Sequence, residues 1–189
     1  SYIATIQGTN YCGKDELGLS EQLIQNSGLF ALTYEMGLFH VLEQVMDKRY
    51  WADFLKAFVN SEHCTPEILL QQNESGNSVM HFAARKGHAD AITALLTSDA
   101  IDVNATNNSG STALHWAAEN GNPAAIAALL ASDTIDVNAT NNGGSTALQT
   151  VALRGHAAAI TALFASGALD VNLSLTPIRR RRPTNLLQL

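Results

Sequence analysis

Two histidines, His81 and His115, occupy the same place in two closely similar segments, 34 residues apart. Paired imidazoles in adjacent segments suggest a metal site, but no clustered acid or cysteine accompanies them. A second centre of potential chemistry is the thiol of Cys12, in QGTNYCGKDELG (7–18). The other cysteine, Cys64, lies 52 residues away in dissimilar surroundings, which gives neither a disulfide framework nor a CxxC-type zinc site. A third is the basic run Arg179 to Arg182 before Pro183. Such a run reads as a nuclear-import or anionic-surface signal, or as a solvated tail.

The elements that carry the histidines repeat. SVMHFAARKGH (78–88), STALHWAAENGN (111–122) and STALQTVALRGH (145–156) align on Gly87, Gly121 and Gly155, each 34 residues from the next. After each glycine, apolar residues recur at helical spacing: Ile92, Leu95 and Leu96, then Ile126, Leu129 and Leu130, then Ile160, Leu163 and Phe164. The spacing predicts a first helix capped at its start by Thr112 or Thr146 and ended by the glycine, then a second helix burying one stripe. Polar turns, NESGN (73–77), NNSGS (107–111) and NNGGS (141–145), join successive pairs. One helix pair cannot bury both its faces, so neighbouring units stack and share a continuous core.

These residues resemble ankyrin repeats. The family's T-P-L-H-x-A signature is matched by Thr112-Ala113-Leu114-His115-Trp116-Ala117, with Ala in place of Pro, and more loosely at 78–83 and 146–151. The resemblance implies an all-α solenoid of stacked helix-turn-helix units with projecting turns. It covers 73–175 firmly, as three repeats, and 26–72 loosely. In the latter, FALTYEMGLFHVLEQVM (30–46) keeps Gly37 and an apolar stripe, and reads as a degenerate unit. RYWADFLKAFVNS (49–61), with Trp51, Phe54, Leu55 and Phe58 on one face, reads as an inserted or elongated helix. Residues 1–25 and the basic tail 176–189 show no repeat.

In this family the histidine hydrogen-bonds between units, which favours a structural role for His81 and His115, and Gln149 keeps that capacity in the third unit. The positions that the family leaves variable and turns into its groove form three rows: Phe82, Trp116 and Thr150; Arg85, Glu119 and Leu153; Lys86, Asn120 and Arg154. The expected function is capture of a protein partner in this groove, with an exposed Phe beside an exposed Trp as its hot spot; the alternative is that the helix at 49–61 covers part of this aromatic area. The finger tips, Glu74, Asn77, Asn108, Ser109, Ser111, Asn142 and Ser145, are candidate contacts beside it. Each unit closes with Asp-Val-Asn, and Asn104 and Asn138 match the segment in which ankyrin asparagines are hydroxylated. The simpler reading is that Asp and Asn lock the turn.

Gln7, Cys12 and Gly13 resemble the start of a papain-like peptidase, with a thiolate nucleophile at a helix start and an oxyanion-binding Gln before it. Only about 60 residues separate Cys12 from the firm repeats, too few for such a fold, and His40 and His63 are the histidines available there. A targeting arm of a cysteine peptidase is thus an alternative, as is a structural module whose groove is filled by its own chain. No catalytic residue, cofactor, metal or small-molecule substrate is expected.

Charge agrees with a protein partner. Residues 1–72 carry 4 basic and 9 acidic groups, 73–175 carry 3 and 8, and 176–189 carry 4 and 0, for a net −6. The body repels nucleic acid and only the tail attracts it. No window is apolar over the length a membrane-spanning helix needs, the first residues lack a secretory pattern, and cysteine usage fits a reducing compartment. A cytoplasmic location is expected. Near-identical repeats rich in Ala, Asn and Ser also resemble ankyrin effectors that intracellular bacterial pathogens deliver into host cells, which implies a host protein as partner, in the host cytoplasm or nucleus.

Overall fold

The computed structural model describes residues 37–38, 51–61, 64–165 and 167, with side chains from Phe54 onward in the first helix. The expectations on Gln7, Cys12, Gly13, His40, His63 and Arg179 to Arg182 lie outside the described residues.

Among the described residues the helices from Trp51 on are α1 (Trp51–Val59), α2 (Pro66–Leu69), α3 (Val79–Lys86), α4 (Ala89–Leu95), α5 (Ala113–Glu119), α6 (Pro123–Leu130), α7 (Ala147–Arg154) and α8 (Ala157–Ala165). Within a unit the two helices run together in pairs: α3 with α4, α5 with α6, α7 with α8. Between units α3, α5 and α7 stack in an inner row, and α4, α6 and α8 in an outer row. The result is the expected all-α solenoid.

The local signals work as the residue types dictate. Thr146 Oγ1 accepts from the backbone N–H of Gln149 at 3.2 Å, while Gln149 Oε1 accepts from the N–H of Thr146 at 3.1 Å. This reciprocal box satisfies two donors that a helix start leaves open. Pro123 opens α6, where its missing N–H is not needed. Gly87 closes α3 in the left-handed conformation, φ +78°, which only glycine adopts at little cost. Gly121 is constrained further: φ is +65°, and a Cβ there would lie 2.6 Å from the His156 ring.

The core runs between the two rows. Ile92, Leu95, Leu114, Ile126, Leu129 and Leu163 are fully enclosed, and Ala83, Ala84, Ala117 and Ala118 fill the tight inner-row contacts. Small side chains there permit close helix approach. The third outer stripe departs from the sequence expectation, because Ile160 is half-buried and Phe164 is 53% exposed.

Helix α1 packs against α4, in line with the outer row. Phe54, Leu55 and Phe58 are enclosed, and the two phenyl rings stack 5.7 Å apart. The helix expected as an insertion therefore extends the outer row.

Candidate functional site

The inner-row helices bring the histidines to the unit boundaries. The Nε2 of His81 lies 2.9 Å from the Ser111 carbonyl, and that of His115 lies 2.8 Å from the Ser145 carbonyl. A carbonyl only accepts, so each Nε2 carries the proton and each Nδ1 offers its lone pair. That lone pair accepts from the N–H of Ser78 at 3.1 Å and of Thr112 at 3.3 Å. Both nitrogens of both rings are thereby engaged, and neither is free to ligate a metal. Burial pushes both imidazoles below the usual histidine range, outweighing the upward pull of the two carbonyls; proximity of His115 lowers His81 further.

A second set of bonds joins the turns. Asn73, Asn107 and Asn141 each fold their Oδ1 back to accept two backbone N–H groups, from Ser75 and Asn77, Ser109 and Ser111, and Gly143 and Ser145. Successive turns are then linked to one another. The N–H of Asn108 donates to the Ser75 carbonyl at 3.1 Å, and that of Asn142 to the Ser109 carbonyl at 2.9 Å. Their carboxamides add bonds to the carbonyls of Glu74 and Asn108. The same donors and acceptors recur at both boundaries, one period apart.

The family comparison agrees with these periodic helix pairs: the model described as ankyrin repeats (3 copies) matches residues 48–141 and, overlapping, 102–174. The chain belongs to the ankyrin-repeat family. Among curated proteins none matches it. Ankyrin repeats are in general protein–protein interaction modules, which directs attention to the face of α3, α5 and α7.

On that face of the ankyrin stack the expected rows occupy matching turns of the three inner helices, with corrections. Phe82 is not exposed: it is 6% accessible and part of the core. Trp116 is half-buried, and the Arg85 guanidinium lies over its ring, 5.2 Å from the centroid. Thr150 turns its hydroxyl back to the Thr146 carbonyl at 2.9 Å. Glu119 on α5 pairs with Arg154 on α7, and the Asn120 carboxamide donates to the Trp116 carbonyl at 2.9 Å. Lys86 and Leu153 are exposed, Leu153 to 69%.

The finger tips divide similarly. Glu74, Asn108, Ser109 and Asn142 are exposed, and Ser111 and Ser145 are half-buried with their carbonyls held by the histidines. Asn77 is buried and accepts from the Asn107 carboxamide at 2.8 Å; it is part of the stack and not a tip. Recurrence of Asn73, Asn107 and Asn141 at the period was the signal for this ladder, hidden because asparagine is also an ordinary turn residue.

Asn104 is engaged at both ends of its side chain. Its Nδ2 donates to the Thr134 carbonyl at 2.7 Å, and its Oδ1 accepts from the N–H of Asp136 at 2.8 Å. The N–H groups of Asn104 and Asn138 donate in turn to Asp102 and Asp136 carboxylates. Among the described residues no group of three or more His, Cys, Asp or Glu is gathered to hold a metal, and no helix is long and apolar enough to cross a membrane. Burial raises the Cys64 thiol above its ordinary range, which makes it a poor nucleophile.

Proposed function

We propose that this chain is a non-catalytic recruiting module that holds a partner protein on the face of α3, α5 and α7, bordered by the tips Glu74, Asn108, Ser109 and Asn142. One observation carries the reading: a half-buried Trp116 with a cation over its ring sits on this face. Trp and Arg are the residue types that dominate interface energetics. Exposed Lys86 and Leu153 extend the same face. The texture of the repeats supports a host protein as the partner and a host-cell compartment as the place of action.

The test is affinity capture with the wild-type chain and with Lys86→Glu/Leu153→Glu, both substitutions lying on exposed positions. Loss of the captured protein with an unchanged melting curve is the expected result. Capture that survives the double substitution contradicts a groove-borne partner.

Burial of Phe82 supports a second reading, in which the inner face is partly occupied by the chain itself and serves the stack. On that reading the double substitution has no effect on any partner. For Asn104 and Asn138, double engagement of the Asn104 carboxamide supports turn-locking over hydroxylation. A mass gain of one oxygen after incubation with an asparaginyl hydroxylase would reverse that preference.

A further inference from the structure

Between α3 and α5 lies a shallow cleft lined by Asn77, His81, Phe82, Arg85 and Trp116, with a volume of about 10 Å³, no more than one water-sized group. Its polar walls are unequal. His81 has both ring nitrogens committed, to Ser78 and Ser111, and Asn77 Oδ1 accepts from Asn107. The Trp116 Nε1–H, in contrast, is buried and has no hydrogen-bond partner. An orphaned buried donor is costly, and in native structures it marks a place where an acceptor belongs.

The charge is also unbalanced. Arg85 lies over the Trp116 ring and makes no ion pair among the described residues. One period later its counterpart is Glu119, and that charge is met by Arg154. The residues that line the cleft therefore include two donors without an acceptor, one of them a full cation, beside the apolar surface of Phe82 and the indole. What complements it is an acceptor with negative charge on a short apolar stem. Arg85 forms the exposed wall, and entry of a side chain requires that it swing off the indole.

We propose that this cleft is the anchoring subsite of the groove and takes an aspartate or glutamate side chain of the partner protein. One carboxylate oxygen accepts from Trp116 Nε1 and the other pairs with Arg85. Charge-assisted bonds of this kind are shorter and stronger than neutral ones. A neutral amide of the same shape satisfies the indole but leaves the guanidinium unpaired, so the subsite distinguishes Glu from Gln. This inference rests on the protein-binding reading above.

The experiment selects short random displayed peptides on the full chain, then synthesises the enriched sequences with Glu or Gln at the acidic position. The expected result is an acidic residue at a fixed position, with the Gln peptide binding about tenfold more weakly or worse. Arg85→Gln and Trp116→Phe each lower affinity for the Glu peptide similarly. On Arg85→Gln, the Glu-to-Gln change has little further effect. The Trp116 indole N–H resonance moves with the Glu peptide. Arg85 is exposed and Phe keeps a ring in place, so both variants retain the fold, which circular dichroism checks. Peptides that lose binding on Leu153→Glu but ignore both Arg85→Gln and Glu-to-Gln would overturn the acidic subsite while leaving the groove intact. Absence of any enriched peptide sensitive to α3, α5 or α7 substitutions would overturn both.

Discussion

The Nε2–H of His115 reaches across a unit boundary to the carbonyl of Ser145, 2.8 Å away, and His81 does the same to Ser111. A bond that requires a neutral ring with a defined tautomer ties cohesion of the stack to pH. Because burial depresses both imidazoles below the ordinary histidine value of about 6.5, the unfolded chain binds more protons than the folded one between the folded value and about 6.5. Stability therefore rises with pH across that window. It is fully present above about pH 6.5 and is lost as pH falls toward the folded value. Urea midpoints measured on both sides of this window test it. His81→Gln/His115→Gln should flatten the dependence, since Gln does not titrate there, and keep the helix starts, since Gln149 already accepts from the Thr146 N–H in the third unit.

At Gly110, φ is +69° and a Cβ would lie 2.8 Å from the backbone nitrogen of Asn142. Gly110→Ala combines left-handed strain with a collision against immobile backbone, and should cost about 2–3 kcal/mol. Thermal denaturation measures the loss. Amide exchange at Asn142 should accelerate, because its bond to the Ser109 carbonyl is the one displaced.

Two leucines separate the core from the binding face. Leu114 is 2% exposed and should lose about 2–5 kcal/mol on truncation to Ala. Leu153 is 69% exposed, so Leu153→Ala should shift stability by no more than about 0.5 kcal/mol. Chemical denaturation of both variants checks the contrast; a large loss at Leu153 would show that it belongs to the stack.

The Glu119 and Arg154 pair links α5 to α7, but both side chains are about half exposed, 42% and 56%. A double-mutant cycle with Glu119→Gln and Arg154→Gln should give a coupling of about 0.2–1 kcal/mol that shrinks with added salt.

Much of this fold was legible because a stack constrains every unit alike. The period, the Thr112 and Thr146 helix starts, the glycine stops and the buried Ile92, Ile126 and Leu129 positions follow from packing rules that act along the chain. The site was less legible, because exposure depends on what lies beside a residue and not on its place in the repeat. Phe82 and Trp116 are equivalent by period, yet one is enclosed and the other half-open. The Arg85 cation over Trp116 and the Glu119 pair with Arg154 span 31 and 35 residues, near one period, where pairs go unnoticed among repeated matches. Asn77 reads as a tip in the sequence because its bond to Asn107 belongs to the neighbouring unit.

The recurrence of identical contacts at successive boundaries has an evolutionary reading. Excising one 34-residue period between equivalent positions would bring His81 to the Ser145 carbonyl in place of Ser111, and the Ser75 carbonyl to Asn142 in place of Asn108. The histidine and turn bonds would be re-formed from parts already matched to them. Unequal recombination within such a gene can then lengthen or shorten the array without inventing a new interface, and reach becomes a quantity that selection adjusts by whole steps.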